Sequence, residues 1–454
     1  MTTRRHRTLT GAFATVALFT VLAGQFWRNL LGWWGFGIIA LLVLAGAIAL
    51  VVAVRPRWDW RRTPKSTLVF LLIAVLSLAW SHYPGASALG VLITLITTFV
   101  AVALALCLTW TRLVRALGGA IKWILALSLA FELWIAVFVR EPLLPNFPDF
   151  DPGAEKVPMA FYWSRGLLFE GGPIEGIVAN RNLLGMIALL GLIVFGALLA
   201  AGSMRRAQGI GWLGVAGVTV LLTRSATVAV VAVVVLAAFG FAIWARRVGP
   251  DRRRRVYVAA AGALLASVAL LVVFWSRLTD LFGKSDDLTG RFDIWNAVAG
   301  LAAERPWFGW GWVSYWVPWV EPFDELAVRK GVTYLQAHNA WLDVWMQLGV
   351  IGVIAFASIV IGALWRSWFL AVDQPMEVTG RPLPHSAAAL VPLLVLVALI
   401  GQSLAESRIL IEGGWVLLIA IAWSTKQRQW APEPLPAEPP PVRASRMPPA
   451  EAAK

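Results

Sequence analysis

The sequence predicts an all-α fold: a polytopic transmembrane helical bundle of about 12 spans, with a large ordered outer loop containing short amphipathic helices. Three observations predict it. The 454 residues are 59% hydrophobic and only 14% charged, where soluble domains run at about 45–50% and 25%. The apolar residues gather in runs near the ~20 residues that a helix needs to cross a hydrocarbon core. Lys and Arg collect in every second connection, the asymmetry that marks cytoplasmic loops.

The apolar runs fall near 9–27, 33–54, 66–81, 88–110, 118–139, 182–201, 209–223, 226–244, 257–275, 341–365, 386–404 and 411–424. The seventh and the last are short, which leaves ten or eleven full spans as alternatives. Arg4, Arg5 and Arg7 precede the first run. Gly24-Gln25-Phe26-Trp27 lacks the small-x-small pattern of a cleavage site, so the run is expected to stay as a span. The basic connections then alternate: Arg55, Arg57, Arg61, Arg62 and Lys65; Arg112 and Arg115; Arg205 and Arg206; Arg246, Arg247 and Arg252 through Arg255. Both termini are expected in the cytoplasm. The net charge of +14 is therefore a topology signal and excludes a nucleic-acid footprint. The single cysteine, Cys107, permits no intramolecular disulfide and no cysteine metal cluster.

This alternation divides the chain into N-terminal spans (1–139), an outer loop (140–181), central spans (182–275), a large outer loop expected to be catalytic (276–340), C-terminal spans (341–424) and a disordered cytoplasmic tail (425–454) rich in Pro, Ala and Glu. Loops this long are usually functional or disordered. Both loops hold Trp, Phe, Gly and Pro rather than repetitive polar sequence, which predicts order.

Chemistry-bearing residues concentrate in the outer segments. Leu288-Thr289-Gly290-Arg291-Phe292-Asp293-Ile294-Trp295 opens a predicted amphipathic helix with Phe292, Trp295, Ala299 and Ala302 on one face. Pro306-Trp307-Phe308-Gly309-Trp310-Gly311 forms a glycine-punctuated turn. Ala337-His338-Asn339-Ala340-Trp341-Leu342 opens the tenth span, and Leu348-Gly349-Val350-Ile351-Gly352 lies within it. Of the four histidines, His6 and His385 fall inside and His82 in a short outer turn. Only His338 falls in a long outer segment. Its near-neutral pKa suits proton transfer or orientation of a hydroxyl, and a satisfied boundary histidine is the plainer alternative.

These pieces resemble the O-antigen ligase and polysaccharide polymerase superfamily, whose members carry a Gly-Arg…Trp segment, a Pro-x-x-Gly-x-Gly turn and a His-Asn-x-x-Leu helix start in this order. Thr223-Arg224-Ser225-Ala226 and Gly176…Asn180-Arg181-Asn182 match two further family features, so the resemblance covers roughly 176–352. It implies a bacterial plasma-membrane enzyme. A glycan on an undecaprenyl-diphosphate-type carrier would pass, on the outer face, to an acceptor sugar or lipid, with no cofactor and no metal ion.

On that resemblance His338 is the catalytic residue. Arg224, Arg291 and, less directly, Arg181 meet the diphosphate, since a guanidinium pairs phosphate oxygens in a planar fork. Arg224 also fits a snorkelling interfacial arginine, Arg291 a solvated charge at a helix start, and Arg181 an ordinary loop charge. Asn339, Asn182 and Trp310 are candidate substrate contacts. Asn339 serves equally as a helix cap, and the tryptophans as packing. Asp343 is expected to pair with a basic residue, and Glu132 to face protein, in a salt bridge at most.

Other chemistries find no support. There is no Gly-x-x-x-x-Gly-Lys-Ser/Thr phosphate loop and no His-x-x-x-His pair. The motifs leave ligase and polymerase both open. The rival from another class is a polytopic transporter or lipid-linked glycan flippase.

Overall fold

The computed structural model describes residues 2–147, 157–273, 286–329, 332–376 and 381–428. The tail from 429 on, and the stretches 148–156 and 274–285 of the two long segments, lie outside the described residues.

The chain is helical almost throughout: α1 (Thr2–Leu22), α2 (Gly24–Val54), α3 (Lys65–Leu76), α4 (Pro84–Cys107), α5 (Trp110–Trp134), α6 (Arg181–Ala200), α7 (Arg206–Thr223), α8 (Ala226–Val248), α9 (Arg253–Val273), α10 (Asp286–Glu304), α11 (Ala340–Val372), α12 (Val391–Ser403) and α13 (Glu412–Arg428). Every apolar run coincides with a helix. Among the described residues, six helices are long and apolar enough to cross a membrane. Among the described residues, sheet is confined to one two-residue antiparallel pair, Val328–Arg329 with Val332–Thr333.

Connections from the two ends of the helices form two separate sets of contacts. At one end, Arg28 meets Glu412, the Asn146 amide donates to the Asn29 carbonyl, His82 to Trp310, and Ile174 to Leu222. At the other, Arg246 donates to the Ala371 and Ser386 carbonyls, and Arg253 meets Asp373 at 2.5 Å. The first set joins segments assigned to the outside by sequence, and the second joins segments assigned to the inside.

The described part of the large loop carries its own core of Ile294, Val298, Ala302, Val313, Trp316, Phe323, Ala327, Ala337 and Met346, joined by Tyr83. The buried stripe of α10 is therefore Ile294, Val298 and Ala302. The face through Phe292, Trp295, Ala299 and Ala302 drawn from sequence shares Ala302 with this stripe, and its other three residues are rotated from it by about one residue. Both stripes fit a helical period, and the partner cluster chooses between them. Trp312 leaves the loop and enters the bundle, fully buried, 5.2 Å from Phe70, its indole N–H donating to Thr94 Oγ1 at 3.0 Å.

The tenth apolar run is not a continuous helix. Gly349 takes φ +65° and breaks α11. A break orphans backbone groups, which need replacement partners. The glycine turn supplies them. The Trp310 and Gly311 amides donate to the Met346 and Gln347 carbonyls at 3.0 and 2.9 Å, and the Val350 amide donates to Pro306 at 2.8 Å. Gly309, at φ +68°, faces the Gln347 backbone so closely that a Cβ would sit 2.5 Å from it. Two of the sequence motifs thus dock on each other, backbone to backbone.

Candidate functional site

The segment before α11 and the connection between α12 and α13 meet above the helix ends. Glu406 in that connection is 5% exposed and gathers four donors. Its Oε1 accepts from Arg291 Nη2 at 3.0 Å and Asn182 Nδ2 at 3.2 Å. Its Oε2 accepts from His338 Nδ1 at 2.9 Å and Gln336 Nε2 at 3.3 Å. Burial alone would raise this carboxyl. The His338 charge and hydrogen bond, then Arg291 and Arg408, outweigh burial and hold it down at about 2. Glu406 is therefore ionised at any ordinary pH and acts only as an acceptor. His338 Nδ1 is thus the donor in this hydrogen bond, and in the neutral imidazole the lone pair is on Nε2.

His338 itself stands at φ +51°, a backbone region that costs a non-glycine residue about 1–2 kcal/mol. Its neighbours hold it there. Asn339 caps α11, its Oδ1 accepting from the Trp341 and Leu342 amides at 3.0 and 3.3 Å. Asn339 therefore does the work of a cap, while its amide nitrogen reaches the Leu404 carbonyl at 3.4 Å.

Arg224 closes α7 in the left-handed region, at φ +47°. Its exposed guanidinium lies beside Gly171 of the first long segment. It does not touch Glu406. Its neighbour Ser225 caps α8 and donates to Asn182 Oδ1 at 2.7 Å, and Asn182 in turn reaches Glu406. Arg181 opens α6 one residue before Asn182, behind the Asn180 cap. The structure thus brings His338, Arg291 and Asn182 onto one carboxylate and ties the Arg224 turn to them through Ser225.

Trp310 is placed elsewhere. Its indole donates to the Leu301 carbonyl at 2.8 Å, and the Arg305 guanidinium covers its ring at 4.1 Å. Trp312 and Trp316 are buried, while Trp307 and Trp319 are exposed.

Two carboxylates differ from the sequence expectation. Asp343 has no basic hydrogen-bond partner. It is 1% exposed and accepts from Trp316 Nε1 at 2.8 Å, the Ala337 amide at 3.0 Å and Ser407 Oγ. Glu132 makes no salt bridge among the described residues either. It accepts from Ser164 Oγ at 2.8 Å and from the Glu175 and Gly176 amides at 3.0 and 2.7 Å, pinning the first long segment to α5. Neutral donors satisfy a buried carboxylate when the chain folds backbone N–H groups over it, and sequence patterns do not show such donors.

Beside the cluster, Arg408 and Arg28 share Glu412, at 3.3 and 2.6 Å. Glu406, Arg408 and Glu412 were all missed by sequence reasoning. The signal available was a short polar stretch, Ala405-Glu406-Ser407-Arg408, between two strongly apolar runs on the outer side by parity. Among the described residues, His, Cys, Asp and Glu side chains nowhere gather in threes as a metal site requires.

No curated protein matches the chain. Residues 209–357 match the family model described as O-antigen ligase. That segment holds Arg224, Arg291, Trp310, His338, Asn339 and Asp343, while Arg181, Asn182 and Glu406 lie outside it. Its apolar helices make the chain a multi-pass membrane protein, and over residues 209–357, about a third of its length, it is similar to the O-antigen ligase family.

Proposed function

We propose that the protein transfers a glycan from an undecaprenyl-diphosphate-type carrier to an acceptor sugar or lipid, on the outer face of a bacterial plasma membrane. The observation that carries this is the convergence of His338 and Arg291 on the buried Glu406. The family match and the apolar helices support glycan transfer within a membrane. All twelve apolar helices are taken to cross, with both termini inside. The clustering of Arg246 and Arg253 at the far end of the bundle supports that orientation.

The acceptor hydroxyl attacks the anomeric carbon of the donor sugar. Its oxygen bonds to that carbon as the bond from the carbon to the phosphate oxygen breaks. The hydroxyl proton passes to His338 Nε2, and the bonding electrons leave with the diphosphate. Glu406 holds the imidazole in the tautomer with Nε2 free and stabilises the imidazolium that forms. Arg291 spends one of its five N–H groups on Glu406 and offers the rest of its fork to the diphosphate. Arg224 and Arg181 add positive charge where the leaving group gathers negative charge. No metal ion is assigned a step. Asn182 and Asn339 stand where sugar hydroxyls would approach. Trp310 would meet sugar only through what Arg305 and His82 leave uncovered of its ring. The transporter or flippase alternative finds no support in the family match.

Arg291→Lys is expected to lower turnover roughly 10–100-fold, because an ammonium does not reproduce the fork. Initial rates on the lipid-linked donor measure it, and near-normal turnover would count against diphosphate recognition at Arg291. The broader test is complementation of a deletion strain. Wild type should restore surface glycan. His338→Ala should leave carrier-linked glycan accumulating. Restoration by His338→Ala would refute the assignment.

A further inference from the structure

We infer that Asp343 is a positioning residue that clamps the two halves of the site together, an inference that rests on the transfer reaction proposed above. Its Oδ2 takes the Ala337 amide, next to His338, and the Ser407 hydroxyl, next to Glu406. The Ser407 amide donates to Gln336 Oε1 at 3.3 Å, and Gln336 Nε2 donates to Glu406. The segment 336–338 and the connection 406–407 are thus closed into a ring, with Asp343 and Gln336 as its two links. His338 and Glu406 are the groups that ring brings into register.

The chemistry favours positioning over simple packing. A carboxylate at 1% exposure with three neutral hydrogen-bond donors is costly to retain, and an apolar side chain would fill the space with less penalty. What a carboxylate supplies is acceptor capacity: one oxygen takes two donors from two different segments. The backbone at His338 is in the left-handed region, so the imidazole keeps its place only while its flanks are held. The third donor, Trp316 Nε1, comes from the loop core and makes no hydrogen bond to residues 336–338 or 406–407; its backbone amide donates to Leu335 at 3.2 Å.

Asp343→Asn keeps the volume but leaves at least one donor facing an N–H. Ser407→Ala removes one arm of the clamp and keeps the charge. Trp316→Phe removes the donor from the loop core. Kinetics on purified protein, with lipid-linked glycan extracted from cells lacking it, should separate them. Asp343→Asn should lower kcat about 10–100-fold and leave KM for the donor within about threefold. Ser407→Ala should lower kcat about three- to tenfold. Trp316→Phe should lower the melting temperature without lowering kcat.

The ring signal of His338, read by NMR on histidine-labelled protein, gives a readout independent of turnover. It should shift or broaden in Asp343→Asn and Ser407→Ala and stay in place in Trp316→Phe. If all three variants lose stability and kcat alike, or if Asp343→Asn moves neither kcat nor the His338 signal, the clamp is refuted. An inactive wild type would sink the proposed reaction instead, and the NMR comparison would still decide the role of Asp343.

Discussion

Glu406→Gln is expected to abolish most glycan transfer, by about 100-fold or more in kcat, while the protein stays folded. Gln keeps the length and volume of the side chain. It removes the charge that favours the His338 imidazolium, and general-base catalysis of this kind is worth about 10²–10⁴. It also turns an N–H toward a donor, because Glu406 takes donors on both oxygens: Arg291 and Asn182 on one, His338 and Gln336 on the other. Glu406→Ala goes further. It leaves Arg291 and His338 without their shared acceptor, and breaking a buried pair costs about 3–5 kcal/mol. Thermal unfolding in detergent should therefore show Glu406→Ala clearly less stable than Glu406→Gln. The pH dependence has a definite sign. A carboxyl held at about 2 in the folded protein contributes stability above its ordinary range, near pH 4.5, and loses it as pH falls through about 2. Glu406 therefore stays ionised through mild acidification.

The second large effect is on the fold. Gly349→Ala is expected to destabilise the protein by roughly 2–5 kcal/mol, from a left-handed backbone and an overpacked contact. The residue stands at φ +65°, and a Cβ would lie 2.2 Å from the Trp307 carbonyl group. Backbone is what it meets, so no side chain can swing away. The consequence reaches the site. The turn at 306–311 hangs on the carbonyls freed by this break, and α10, which presents Arg291, leads directly into that turn. Gly262→Ala is the control. Gly262 lies in α9 with nothing within 4 Å of its Cβ position, and its replacement should leave stability within about 1 kcal/mol. Melting temperature and membrane yield, compared across the two variants, check the prediction.

The helices were legible because a bilayer imposes a length and an apolar character that composition alone reveals. The described parts of the two long segments were legible as folded because they carry Trp, Phe and Pro, but not in their packing. The buried face of α10 depends on which partner cluster it meets. Arg291 and His338 were legible through motif spacing, whereas Glu406 was not: a single acid in a short turn carries no period and no spacing. Its importance appears only when two segments more than 60 residues apart come together. Asp343 was expected to pair with a cation, and Glu132 to face protein with a salt bridge at most, for a similar reason. Backbone amides leave no trace in a one-letter string, yet they satisfy both. Trp310 shows the converse, an aromatic residue in a motif whose indole is spent on a carbonyl of its own loop.

The most direct measurement is transfer by purified protein in liposomes carrying only a lipid-linked glycan and an acceptor. Wild type should release carrier diphosphate in step with lengthened or ligated glycan, and His338→Ala should release none. Transfer that proceeds equally without the imidazole, or a wild type that leaves the donor intact when every component is present, would contradict a reaction centred on His338, Glu406 and Arg291.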